Sequence, residues 1–264
     1  MIAISTLLFA ASAAVTIVWG LSMSSMAGMP MAGGWTMSMT WMRMPGQTWP
    51  AAAASFLGMW IAMMMAMMLP SLIPMLRGYR GAVRVSGDAR PGLGRGWLTA
   101  VVGTGYFFVW TLVGVIVYPL GIALAEIEMR HPAVSRAVPF AAGVIILIAG
   151  GIQFTAWKAR QLACCDGDCG DEAAAHYRRR TLAADVDTAW RYGLRLGRDC
   201  GRACANLMLI LLVAGVMDLR AMAIVTAAIS AERLAPAGTR VARATGVVIV
   251  AAGSLLIARA AWIA

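Results

Sequence analysis

The chain has 264 residues, 61% hydrophobic and only 13% charged, where a soluble domain carries roughly 25% charged residues. That composition excludes an ordinary soluble globular domain. With no alternating pattern of a barrel, the expected fold class is all-α, a polytopic membrane helix bundle of about six transmembrane helices. The net charge of +10 would raise nucleic acid as a partner of a soluble protein. No nucleic-acid-binding motif is present, and cationic loops held on the cytoplasmic side of a bilayer account for it.

In chain order, residues 2–22 form a first apolar segment. Ala11-Ser12-Ala13 resembles a small-residue cleavage site, but the basic region of a signal peptide is missing, so a retained helix is expected. Residues 23–50 form a loop broken by Pro30, Gly33, Gly34, Pro45 and Pro50. Further helices are expected at about 51–76, 97–124, 138–157, 200–225 and 244–263. Polar loops lie at 77–96 and 158–199, and a short linker at 226–243. Residues 1–264 then form a single membrane domain. The loop 77–96, the segment 158–202 and Arg259 hold 15 Lys and Arg, and the opposite side holds 7. Positive-inside therefore expects loop 23–50 outside and the cysteine-bearing loops in the cytoplasm.

The second helix carries the most unusual stretch, Met59–Met75, which spends seven of its seventeen positions on methionine. Met59, Met63 and Met67 make one stripe at helical spacing, and Met64, Met68 and Met75 make another beside it. Pro70 and Pro74 should kink or locally unwind the helix. A methionine face is also what flexible packing against a neighbouring helix produces. In loop 23–50, however, there is no apolar core to fill, yet Met23, Met26, Met29 and Met31, then Met37, Met39, Met42 and Met44, place eight methionines within 22 residues. A thioether is a neutral soft ligand that selects Cu(I). The first 87 residues contain no His, Cys, Asp or Glu, so a metal there meets thioethers, backbone and water. This excludes tight zinc, iron or calcium sites and leaves Cu(I) or its mimic Ag(I).

The five cysteines fall between Cys164 and Cys204. Cys165/Cys169 and Cys200/Cys204 each have C-x3-C spacing, which places two sulfurs on one helix face. In a reducing cytoplasm, metal binding or redox sensing outranks a structural disulfide, while buried small apolar cysteines are the alternative. Asp218, near the end of the fifth span, either neutralises a passing cation or sits at the outer interface.

Together these motifs resemble a family of uncharacterised bacterial integral membrane proteins described as metal-binding. Its signature, MW-x2-MM-x-AMM-x-P, is met by Met59, Trp60, Met63, Met64, Ala66, Met67, Met68 and Pro70. A second block matches at Gln153, Thr155, Lys158, Cys165 and Cys169. A third matches at Cys200, Cys204, Leu207, Met208, Gly215, Val216, Met217, Leu219, Met222 and Glu232. Ala203 stands where the family has a third cysteine, and Asp218 where it has Asn. The resemblance, over about residues 55–235, implies a bacterial inner-membrane location and metal binding without an established reaction.

Two functions are expected from these features. One is Cu(I) handling, by uptake or delivery from methionines outside to cysteines inside, with a copper-acceptor or membrane protein as partner. The other is a membrane subunit or assembly factor with a structural methionine helix and metal- or redox-sensing cysteines. No nucleophile–base constellation, P-loop or His-rich site points to an enzyme.

Overall fold

The computed structural model describes residues 2–24, 28–43, 46–82, 93–166, 185–235 and 237–263. Eight helices are present among them: α1 (Ile2–Ser24), α2 (Trp49–Ala82), α3 (Leu93–Arg130), α4 (Pro132–Ile152), α5 (Ala156–Asp166), α6 (Val186–Ala214), α7 (Leu219–Leu234) and α8 (Gly238–Ile263). The expected all-α bundle is what forms. Stretches in α1, α2, α3, α4 and α8 are long and apolar enough to cross a membrane. Large side chains such as Leu7, Val18, Ile116, Leu120, Val248 and Leu255 face outward from them.

The core runs along α2, α3, α6 and α7. Of the kink or local unwinding expected at Pro70 and Pro74, the unwinding does not occur, and α2 stays helical through both. Each proline lacks an N–H, so the carbonyls of Ala66 and Pro70 lose their intrahelical donors. α1 lies along α2 and reaches α7, where a Cβ on Gly20 would stand 2.7 Å from a Leu219 methyl. α4 and α8 approach closely over small residues, as helices do where no hydrophobic drive separates lipid from protein. A Cβ on Gly253 would lie 3.1 Å from the Gly143 carbonyl oxygen.

The expected span at 200–225 is not one helix. α6 begins at Val186, inside the segment expected to be a loop, and ends at Ala214. Its start is fixed by Asp185, whose carboxylate accepts from Thr188 N at 2.7 Å. Gly215 then takes φ +116°, a conformation open to glycine, and stops the helix. Asp218 restarts the chain as the N-cap of α7, accepting from the backbone N–H of Arg220 and Ala221 at 2.8 and 3.2 Å. Asp218 is exposed and its role is local capping. Asp218→Ala should lower stability by about 1 kcal/mol, read as a fall in Tm. α7 and the start of α8 together fill most of the expected 226–243 linker, and α5 extends into the expected 158–199 loop.

Candidate metal centre

Along α2, the i, i+4 spacing puts Met59, Met63 and Met67 beside Met64 and Met68, and all five are buried. Met64 and Met68 have no exposed surface (0%). From Met59 to Met68 the column rises about 13 Å. The half-buried Met65 and Met75 contribute less to it. At its start sits an aromatic cluster. Phe56 is 5.5 Å from Trp41, 5.9 Å from Trp60 and 4.8 Å from Tyr118 between ring centroids. Trp60 is anchored by its indole N–H, which donates to the Trp110 carbonyl at 2.8 Å. Its ring lies where a Cβ on Gly114 would intrude, 2.6 Å from Trp60 Cδ1.

Cys200 and Cys204 stand one turn apart on α6, both buried. Their position is a correction: they are not at a helix end facing the cytoplasm but in mid-helix within the core, because α6 starts fourteen residues earlier than expected. Cys200 Sγ is 3.9 Å from Cys204 Sγ and 3.9 Å from Met68 Sδ, and the Tyr106 hydroxyl is 2.8 Å away. Sulfurs each about 2.3 Å from a metal stand about 4.0 Å apart in a trigonal plane and about 3.8 Å in a tetrahedron. Both separations, at 3.9 Å, fit such a metal. The donors, two thiols and a thioether, are the soft set that suits Cu(I). Among the described residues no cluster of three or more His, Cys, Asp or Glu could hold a metal, so a centre here depends on the thioether.

A buried polar network backs the thiols. Lys158 of α5 donates to the Ala203 carbonyl at 2.6 Å and to Asn206 Oδ1 at 3.4 Å, and pairs with Glu232 Oε2 of α7 at 2.8 Å. Gln153 Nε2 donates to Glu232 Oε1 at 2.6 Å. Asn206 Nδ2 donates to the Ala149 carbonyl of α4 at 3.2 Å, and Arg233 Nη2 to the Cys200 carbonyl at 3.4 Å. The charges of Arg233 and Lys158 act on Cys204 through space, opposed by Glu232. The network thus gathers Gln153 and Lys158 of the second block of the resemblance and Glu232 of the third around one stretch of α6.

The described methionines of the 23–50 loop lie on other elements than this centre. Met29 and Met37 are direct partners in a two-residue antiparallel ladder, so their side chains share a face. Met37 is buried, while Met29, Met39, Met42 and Met23 are half-buried. The loop is tied to α4, with Trp35 Nε1 donating to Ser135 O at 3.0 Å and Ser135 Oγ to Ala32 O at 2.9 Å. Met26, Met44 and Cys169 lie outside the described residues. Cys165 is in the last turn of α5, and its side chain is likewise outside the description. The structure therefore joins Met68 to Cys200 and Cys200 to Cys204, while the Cys165/Cys169 motif lies outside the described side chains.

Sequence reasoning missed Tyr106, Asn206 and Arg233. Only the fold brings Tyr106 and Arg233 to Cys200 of α6, and Asn206 of α6 to Lys158 and the Ala149 carbonyl.

No match was found among curated proteins or among solved structures. A family model described as a copper chaperone matches residues 57–256, a stretch that holds the methionine column, both buried thiols and the whole polar network. The chain belongs to the PpoB2 copper chaperone family.

Proposed function

We propose that this protein handles Cu(I) as cargo inside a bacterial inner membrane, taking it from the methionine-rich loop outside and delivering it through the α2 thioethers to Cys200 and Cys204. The observation that carries the reading is the placement of Cys200 Sγ at 3.9 Å from both Met68 Sδ and Cys204 Sγ, in a buried core. Cu(I) on two thiolates leaves a net negative charge, and Arg233 supplies positive charge beside it, that of Lys158 being matched by Glu232. Thioethers along the column bind weakly and exchange readily, which suits passage more than storage. The copper stays monovalent and undergoes no reaction. Burial of Met59, Met63, Met64, Met67 and Met68 within the chain leaves little thioether face for a partner helix. That favours copper handling over the reading of α2 as a docking helix.

The test is metal retention by the purified full chain under reducing conditions. The wild type should keep Cu(I) or Ag(I) through desalting. Replacing Met63, Met67 and Met68 together by Leu conserves volume and should preserve folding, yet abolish that retention. Cys200→Ser with Cys204→Ser should do the same. Retention unchanged in either variant would sink the proposal, as would zinc held in place of copper.

A further inference from the structure

We infer that Tyr106 is a positioning residue that makes Cys200 the releasing ligand of the thiol pair and leaves Cys204 as the holding one. The inference rests on the copper reading above and adds an order to the two thiols.

The geometry starts from the backbone. α3 and α6 touch where neither has a side chain in the way. A Cβ on Gly105 would meet the Trp190 carbonyl oxygen at 2.9 Å, and one on Gly197 would meet the carbonyl oxygen of Tyr106 itself at 2.9 Å. With its backbone pressed against Gly197, the phenol reaches one turn along α6 to Cys200. Its ring is held edge-on by Phe107, with centroids 5.1 Å apart. Tyr106 is fully buried, and among the described residues the hydroxyl bonds to Cys200 Sγ at 2.8 Å. Cys204 has no such donor among them; its sulfur's partner is Cys200.

The chemistry follows from counting lone pairs. A metal-bound thiolate carries no proton, so in the loaded site the phenol must be the donor. An O–H on sulfur draws on the electron density that the metal also uses, so the Cu–Sγ bond of Cys200 is weakened relative to that of Cys204. When an acceptor ligand arrives, its bond to copper forms as the bond to Cys200 breaks. Cys200 leaves as a thiolate that the Tyr106 O–H already stabilises, and copper remains Cu(I) with no electron transferred. Met68, a weak thioether, adds little resistance.

Tyr106→Phe removes one oxygen and keeps the ring. In equilibrium competition against the Cu(I) chelator bathocuproine disulfonate, the variant should hold Cu(I) about tenfold more tightly. In stopped flow it should release the metal to that dye about tenfold more slowly. The thiolate-to-copper ultraviolet band should also shift. Affinity and release rate both equal to wild type would overturn the inference and leave the phenol a packing group, and weaker binding would overturn it too. Should Tyr106→Phe fail to fold, the cysteines provide a second test. Cys204→Ser should cost several-fold more affinity than Cys200→Ser, and equal losses would overturn the ordering. A wild type that holds no Cu(I), or a double Cys→Ser variant that still holds it, would instead remove the copper site itself.

Discussion

Lys158→Met is expected to destabilise the protein by about 3–5 kcal/mol, because it strands Glu232 as an unpaired carboxylate in the core. Both partners are almost inaccessible, their side chains exposed by 1% and 2%, and 2.8 Å separates Nζ from Oε2. Gln153 Nε2 would remain as a donor to Glu232, but an amide does not neutralise a charge. The loss can be read by thermal unfolding of the detergent-solubilised protein. Lys158→Met combined with Glu232→Leu removes both charges and should recover most of the stability, since a buried pair contributes little net relative to apolar replacements. Recovery should not extend to metal retention. Nζ also holds the Ala203 carbonyl at 2.6 Å, beside Cys204, and the double variant lacks that bond although the net charge there is unchanged. A double variant as unstable as the single one would mean that the network acts through packing rather than through charge.

The network also shows where sequence reasoning stopped. The methionine column was readable because its spacing is local: i, i+4 positions on one helix share a face whatever surrounds them, and Met59, Met63, Met64, Met67 and Met68 are all buried. α6 was harder to read. Arg191, Arg195, Arg198 and Arg202 are exposed on one side, while Ala189, Gly193, Gly197, Cys200 and Cys204 are buried on the other. Averaged over a window, such a helix reads as a polar segment, because its buried stripe is made of small residues that carry little hydropathy. The break at Gly215 was hidden for the opposite reason: apolar residues flank it, so one long span was expected where two helices meet. Pairings such as Tyr106 with Cys200 or Lys158 with Glu232 depend on which helices touch. No periodicity within a single helix encodes that.

The crossing that brings Tyr106 to Cys200 makes the second large prediction. At Gly193, an added Cβ would overlap the carbonyl oxygen of Val102, and the Val102 Cα would stand 3.1 Å from it. These are backbone atoms in the middle of a helix, so no side-chain rotation relieves the clash. Gly193→Leu should therefore force α3 and α6 apart and cost about 3 kcal/mol or more, the upper end of overpacking penalties. Gly201→Ala is the matched control, because a Cβ there meets nothing within 4 Å. In a helix it should be neutral or stabilising by about 1 kcal/mol. The functional consequence separates the crossing from general instability. Gly193→Ala, if it folds, displaces Tyr106 relative to Cys200, so its copper release should slow as in Tyr106→Phe even where the remaining protein is intact. Gly193→Ala that folds and releases copper at the wild-type rate would show that the close approach of α3 and α6 serves stability alone.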